Sequence, residues 1–213
     1  MEHKCLALFP QPVTCIENVD IEGVAEFFDE VIKKNETPQK DPTSSGPKHY
    51  HNDANVLEMY SELHPLRDRI VEAASFAYRD VMNFKDGVRL TNAWFNECPK
   101  GHWQKTHNHA NCTLSGTLYL RTGEDSAIEF FNMYSQSNDL MPCILDHPDG
   151  EKENKFGYQF HSNMITLFVN DGDCLFWPSY LNHGYPTNQT EGRLSLSFNF
   201  LPVSLNSLYQ FQP

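Results

Sequence analysis

Several features that would assign the chain to a familiar class are missing from its 213 residues. No run of eighteen apolar residues occurs, so the sequence predicts no membrane-spanning helix. Acidic residues outnumber basic ones by 28 to 16, which argues against the basic surface of a nucleic-acid binder. The apolar stretch at the N-terminus is short and soon broken by proline, unlike a signal peptide. We therefore expect a cytoplasmic protein.

The six cysteines form no C-x-x-C pair and are scattered along the chain. In a reducing compartment this distribution predicts free thiols rather than disulfides. Cys112 lies close in sequence to two histidines and is a minor candidate for a metal ligand. Hydrophobic residues make up 39% of the chain, which is enough for a folded core of one domain.

The N-terminal part of the chain combines helical and irregular patterns. Residues 6–16 are typical of an edge strand interrupted by prolines. Residues 20–35 predict an amphipathic helix with Asp20 as its N-cap, and residues 64–84 predict a second helix. Between them, residues 36–55 are polar and rich in proline and serine, which predicts a long loop with solvent-exposed histidines.

From residue 87 the apolar period changes from about 3.6 to about 2, which indicates β-strands. Helices first and strands second predict an α+β chain, with N-terminal helices packed on a cupin-like jelly roll, the double-stranded β-helix. We predict one domain over residues 1–213, in which 1–86 give an N-terminal strand and helical support, 87–203 the jelly-roll core and 204–213 a tail. The predicted strands are 88–97, 102–109, 112–121, 127–131, part of 156–169, 173–178 and 193–202.

Several polar side chains are predicted to share the inner face of this barrel. Alternate residues of a strand point to the same side, so each strand divides into an apolar and a polar set. The apolar sets would pack in the core, and the polar sets would face the interior where chemistry takes place. The polar sets comprise His107 and His109, then Ser115, Thr117 and Tyr119, then Arg193, Ser195, Ser197 and Asn199.

A third histidine, His183, follows a predicted apolar strand, and Arg193 comes ten residues later. Two ligands from one hairpin and one from a distant strand can bind a metal ion on adjacent positions and leave others open for substrate and oxygen. An arginine deeper in the barrel can bind a carboxylate through its two-pronged guanidinium. Tyr119 and Ser195 can donate further hydrogen bonds to the same carboxylate.

Short motifs in a fixed order carry a family resemblance over about residues 88–202. The sequence resembles the iron(II)- and 2-oxoglutarate-dependent oxygenases, and within them a bacterial and phage branch related to the prolyl hydroxylases. The location would be the host cytoplasm if a phage encodes the chain. The motifs are Trp94, Asn96 and Gly101, then His107 and His109, "LSGTLY" at 114–119, "WPSYLNH" at 177–183 and "RLSLSFN" at 193–199.

The resemblance implies roles for individual residues. His107 would be the first iron ligand and His183 the distal one. Arg193 would pair with the far carboxylate of 2-oxoglutarate, with help from Tyr119 and Ser195. No catalytic residue beyond the metal site is implied.

The position two residues after the first histidine departs from the prolyl hydroxylase pattern. A carboxylate ligand stands there in those enzymes, whereas this chain has His109. Three arrangements remain open. His109 can complete a three-histidine site, a carboxylate such as Glu129 or Asp173 can replace it, or solvent or an anion can fill the position.

The implied reaction is hydroxylation of an amino-acid or peptidyl substrate, for example a prolyl residue, with Fe(II) and 2-oxoglutarate as cofactors and release of succinate and CO2. Asn96 and Trp103 are predicted to contact the substrate at the barrel mouth. The loop 36–55 and the polar insert 132–155 are predicted to cover that mouth.

Two other functions fit the same residues. One is a cupin-type three-histidine metal dioxygenase that uses no 2-oxoglutarate. The other is a non-catalytic jelly-roll module for binding or structure. We expect a small-molecule or peptide partner, no nucleic acid and no membrane, and a possible homodimer paired through the N-terminal edge strand.

Overall fold

The computed structural model describes residues 11–40, 46–51, 54–132 and 164–204. Within these ranges, no helix is long and apolar enough to cross a membrane. The strands are β1 (Thr14–Ile16), β2 (Gln39–Lys40), β3 (Lys48–Tyr50), β4 (Val88–Cys98), β5 (Gln104–His107), β6 (Leu114–Arg121), β7 (Ala127–Phe131), β8 (Met164–Phe168), β9 (Cys174–Pro178), β10 (Asn182–Tyr185) and β11 (Arg193–Pro202).

The strands form two antiparallel sheets. The larger sheet has the order β1–β9–β6–β11–β4–β3–β2, and the smaller has the order β5–β10–β7–β8. Neighbours in space are mostly distant in sequence, as in a jelly roll in which the chain passes repeatedly between two sheets. The predicted double-stranded β-helix is therefore confirmed.

Two helical stretches precede the barrel. The first comprises α1 (Val24–Phe27), a π-helical turn (Phe28–Ile32) and α2 (Lys33–Asn35). The second comprises α3 (Val56–Met59), a 3₁₀ turn (Ser61–Leu63), α4 (His64–Phe76) and a π-helical turn (Ala77–Val81). Both predicted helices exist, but the first begins at Val24 after Gly23, whose φ of 75° favours glycine, and not after Asp20.

The larger sheet has one apolar and one polar face, as the alternation in its strands predicts. The apolar face carries Leu194, Leu196 and Phe198, which belong to the same buried cluster as Phe28 and Ile70 of the helical stretches. Burying this face fixes the register of β11, because a slip by one residue would turn its polar set into the core. The polar set of β11 is thereby held toward the smaller sheet.

A smaller apolar cluster lies between the two sheets and includes Tyr119, Phe130 and Trp177. Phe130 contacts Trp177 edge to face with ring centres 5.3 Å apart. This cluster fills one part of the barrel interior and leaves the remainder to polar side chains. Trp177 lies beside those polar groups, with its ring centre 4.6 Å from that of His183.

The region 36–55 differs from the predicted loop. It contains strands β2 and β3, and β3 extends the larger sheet by pairing with β4. His49 lies opposite Asn96 in that pairing and is buried, so the expected exposure of His49 was wrong. The predicted cover 132–155 lies outside the described residues after residue 132.

Candidate metal centre

Three histidines meet inside the barrel. His107 ends β5 and is the Cα partner of His183 on β10, so the strand pairing itself brings two of them together. His109 follows in the next loop, where its backbone N–H donates to the carbonyl oxygen of Ser179 over 3.0 Å. One ring nitrogen from each histidine lies within 4.8 Å of the other two.

Hydrogen bonds define which nitrogen of each ring can bind a metal. The Nδ1 atoms of His107 and His183 lie 2.9 Å from the carbonyl oxygens of Lys105 and Leu181, in each case two residues earlier in the chain. A carbonyl oxygen only accepts, so Nδ1 carries a proton, and in the neutral ring Nε2 keeps its lone pair. His109 has the equivalent bond, from Nδ1 to the side-chain oxygen of Asn199 over 2.6 Å.

Burial keeps two of these imidazoles neutral at neutral pH. It lowers the pKa of His109 to about 4, although the hydrogen bond to Asn199 opposes this shift. Burial also lowers the pKa of His183 well below its ordinary value, and the nearby His107 and His109 add to the effect. A neutral imidazole with a free Nε2 is the form that binds a metal.

Among the described residues, no carboxylate joins the three histidines. Glu129 lies between Ile128, which lines the cavity, and Phe130, whose ring is 6.2 Å from that of His183. Because neighbours in a strand point to opposite faces, the Glu129 side chain points out of the barrel. The carboxylate of Asp173 instead accepts a hydrogen bond from the backbone N–H of Asn170.

A buried arginine lies in the same cavity as the histidines. Arg193 is 4% exposed, and no acidic residue within the described ranges forms a salt bridge with it. Its guanidinium lies over the rings of Tyr185 and Tyr119, with Cζ 4.2 Å and 5.4 Å from their centres. Burying an unpaired cation is costly, so this arrangement favours an anionic ligand.

The two tyrosines beside Arg193 remain hydrogen-bond donors at neutral pH. Burial raises the pKa of Tyr119 above its ordinary value, against an opposing effect of Arg193. Burial also raises the pKa of Tyr185. Tyr185 was not predicted from the sequence, although it stands two residues after His183 and the alternation of a strand would have placed both on one face.

Polar residues line the wall between the histidines and Arg193. Asn96 donates through Nδ2 to the Ser197 hydroxyl over 2.8 Å, and that hydroxyl lies 3.0 Å from Oγ1 of Thr117. The Asn96 amide oxygen is buried and has no partner in the described part of the chain. Ser195 also lines the cavity, as the sequence predicts.

Two candidates lie away from this arrangement. Trp103 is 40% exposed and does not line the cavity, although its neighbour Gln104 does. Cys112 does not join the three histidines, and its thiol donates to the Ala110 carbonyl oxygen over 3.4 Å. The predicted contact of Trp103 with substrate stays a prediction.

The donor set fits a divalent transition metal. Three imidazoles suit iron, nickel, copper or zinc, and the hydrogen bonds from Nδ1 leave Nε2 of each neutral ring to bind the metal. None of the three carries a negative charge, so a bound divalent ion would keep its full charge. The unpaired Arg193 adds a second positive group in the same cavity. Together they fit a ligand with two anionic ends.

The model of the family described as "Putative 2OG-Fe(II) oxygenase" matches residues 92–199 of this chain. That span is half of the chain and contains His107, His109, His183 and Arg193. A search of curated protein sequences found no match.

Solved structures share the fold. HygX from Streptomyces hygroscopicus, solved with nickel, 2-oxoglutarate and hygromycin B, has a TM-score of 0.57 at 17% identity and covers 91% of this chain and 84% of its own. A prolyl-4-hydroxylase from Pseudomonas putida has a TM-score of 0.57 at 12% identity and covers 91% and 94%. The 2-oxoglutarate-dependent epimerase SnoN of nogalamycin biosynthesis has a TM-score of 0.58 at 15% identity and covers 90% and 79%.

Proposed function

The chain belongs to the 2OG-Fe(II) oxygenases, enzymes that use Fe(II) and 2-oxoglutarate, and we propose that it hydroxylates an amino-acid or peptidyl substrate, for example a prolyl residue. The convergence of three histidines and one arginine without an acidic partner among the described residues, all in a single cavity, carries the proposal. The family match lies inside the predicted core, residues 87–203. The single-domain division, the cytoplasmic location and the homodimer stay predictions.

His107, His109 and His183 would hold the iron through their Nε2 atoms. The carbonyl oxygens that accept from two of the Nδ1 atoms fix the orientation of those rings and leave Nε2 free. The iron supplies the oxidising chemistry: dioxygen and 2-oxoglutarate are consumed, a substrate C–H becomes C–OH, and succinate and CO2 are released.

Arg193 would bind the far carboxylate of 2-oxoglutarate. Its guanidinium presents paired N–H donors with the geometry of a carboxylate, and no described acidic side chain competes for them. Tyr119 lies beside Arg193 and stays protonated, so its hydroxyl can donate to the same carboxylate. Ser195 is opposite Tyr119 in the strand pairing and can add a third donor.

The substrate would enter where the polar wall of the cavity continues beyond 2-oxoglutarate. Asn96 offers an acceptor oxygen with no described partner, which suits an N–H or hydroxyl of an amino acid or peptide. Trp94, with its ring 5.7 Å from that of His109, adds an apolar surface beside the iron ligands. A hydrogen-bonding group next to an apolar wall fits a substrate of mixed polarity.

The test is an anaerobic titration of Fe(II) and 2-oxoglutarate into metal-free protein. The visible absorption band of an iron-chelated 2-oxo acid should appear when both are present. The Arg193→Met variant should bind Fe(II) normally and show the band only at much higher 2-oxoglutarate. Arg121→Met is the matched control, because Arg121 pairs with Asp29 outside this cavity.

The possible outcomes separate the alternatives. Iron binding without a band would favour a three-histidine dioxygenase that uses no 2-oxoglutarate. Absence of iron binding would leave a jelly roll without this activity. If the band forms, candidate free amino acids and proline-containing peptides can be compared by substrate-dependent succinate release. No stimulation by any amino acid or peptide would contradict the proposed substrate class.

A further inference from the structure

The three histidines are not held in the same way. His107 and His183 donate from Nδ1 to main-chain carbonyl oxygens, which no side-chain substitution removes. For His109 alone the partners are side chains: its Nδ1 lies 2.6 Å from the amide oxygen of Asn199 and 3.2 Å from the hydroxyl oxygen of Ser115. This difference falls on the position where prolyl hydroxylases carry a carboxylate ligand.

Asn199 is itself contacted by the buried Ser115, which in turn contacts the buried Ser179. Its amide oxygen also accepts from the Ser115 hydroxyl over 2.8 Å, and Ser115 is the cross-strand partner of Asn199. The hydroxyl of Ser115 lies 2.8 Å from that of Ser179. Ser115 and Ser179 are 0% and 1% exposed, so bulk water does not supply these hydrogen bonds.

The orientation of this amide decides which nitrogen of His109 is free. With the oxygen toward His109, as in the structure, Nδ1 carries the proton and Nε2 has a lone pair. With the NH2 group toward His109, Nδ1 would accept, Nε2 would carry the proton, and the ring could not bind a metal. In the orientation of the structure the amide oxygen accepts from both the His109 Nδ1–H and the Ser115 hydroxyl, because an amide oxygen has two lone pairs.

We propose that Asn199, supported by Ser115, is the positioning residue that makes His109 a metal ligand. The proposal rests on the proposed function for the identity of the site. It goes beyond that function because it names the residue of β11 whose side chain keeps His109 able to bind the metal. Outer partners of metal-bound histidines commonly contribute about ten- to a hundredfold in metal affinity.

Two variants of Asn199 separate positioning from packing. Asn199→Leu keeps the size of the side chain but removes the acceptor, and Asn199→Asp keeps an acceptor. We measure Co(II) affinity of the metal-free protein by competition with a coloured chelator. Asn199→Leu should weaken Co(II) binding about ten- to a hundredfold. Asn199→Asp should bind at least as tightly as the parent, because a carboxylate is the stronger acceptor.

A double-mutant cycle tests whether the effect passes through His109. In a His109→Ala background, Asn199→Leu should change Co(II) affinity by less than about threefold. Nitrogen-15 spectra of the histidine rings give a second readout on the metal-free protein. His109 should show Nδ1–H in the parent and lose that preference in Asn199→Leu, while the spectra of His107 and His183 stay unchanged.

The inference is overturned if Asn199→Leu binds Co(II) as tightly as the parent, or if its loss is equally large without His109. It is also overturned if the parent binds no Co(II). Binding of Co(II) with the expected Asn199 dependence but no binding of 2-oxoglutarate would instead refute the proposed function alone.

Discussion

The guanidinium carbon of Arg193 lies 4.2 Å from the centre of the Tyr185 ring. A contact with the face of a ring stabilises a cation without using its N–H donors. Within the described ranges, the in-plane donors of Arg193 make one hydrogen bond, from Nη2 to the carbonyl oxygen of Ala127 over 3.4 Å. Tyr185 therefore holds the arginine in a position from which it can bind a carboxylate.

Removing this ring should weaken 2-oxoglutarate binding. We expect Tyr185→Leu to raise the Kd for 2-oxoglutarate about five- to thirtyfold, since a desolvated cation–π contact is worth about 1–2 kcal/mol. Tyr185→Phe keeps the ring and should stay close to the parent. Calorimetric titration of 2-oxoglutarate into the Co(II)-loaded protein measures both. An equal loss of 2-oxoglutarate affinity in the two variants would show that binding depends on the Tyr185 hydroxyl and not on its ring.

Metal binding should stabilise the fold through His183. A metal at about a hundred times its Kd adds about 2.7 kcal/mol to the free energy of unfolding when it binds only the folded state. Thermal unfolding with and without Co(II) should show this increase in the parent. His183→Ala should abolish it. His51→Ala should retain the increase, because His51 lies 3.6 Å from Glu36 and outside the cavity. If His51→Ala lost the stabilisation by Co(II), the metal would bind at a site other than the three histidines.

Replacing His109 by aspartate should restore the carboxylate of the prolyl hydroxylase pattern. We expect His109→Asp to retain Fe(II) binding, because the carboxylate supplies both a donor atom and a negative charge. His109→Phe keeps an aromatic ring without a donor and should bind Fe(II) less tightly, by about tenfold or more. Competition with a chelator under anaerobic conditions measures both. Equal affinity of His109→Phe and the parent would exclude His109 as a ligand.

Gly184 allows the two histidine-bearing strands to approach each other. A Cβ atom there would lie 2.8 Å from the main-chain oxygen of Gln104, so Gly184→Ala should push β5 away from β10. This movement separates His107 from His183, and we expect Co(II) affinity to fall about tenfold or more. Equilibrium dialysis of the folded variant measures the change.

Gly116→Ala serves as the comparison for Gly184→Ala. Its Cβ would lie 2.5 Å from the Phe198 ring, on the apolar side of the larger sheet. We expect a loss of about 1–3 kcal/mol in the free energy of unfolding, with Co(II) affinity unchanged. If Gly116→Ala weakened metal binding as much as Gly184→Ala, general destabilisation would explain both.

Period-2 alternation was sufficient to predict the long strands and the faces of their side chains. β4, β6 and β11 lie within a few residues of their predicted bounds. Each is long enough for the alternation to repeat several times, and each buries a complete apolar face. The polar set of β11, from Arg193 to Asn199, was assigned to the correct face for the same reason.

Of the short strands, β5, β7, β8 and β9 fall within predicted strands, whereas β2, β3 and β10 were missed because their sequences carry little alternation. β10, with the sequence Asn-His-Gly-Tyr, contains a glycine and follows a turn, so His183 was expected after a strand rather than within one. β3 lies in a polar stretch and owes its strand conformation to pairing with β4. Tertiary context of this kind overrides a local pattern. Hence Tyr185 and the burial of His49 were not predicted.

Main-chain anchoring of His107 and His183 limits which substitutions can alter the centre. Replacing the side chain of Lys105 or Leu181 leaves these acceptors in place, because every residue supplies the same main-chain carbonyl oxygen. We therefore expect the substitutions that change metal preference to fall mainly among the residues that contact His109. A homologue could exchange one ion for another through a substitution on β11 while all three histidines remain invariant.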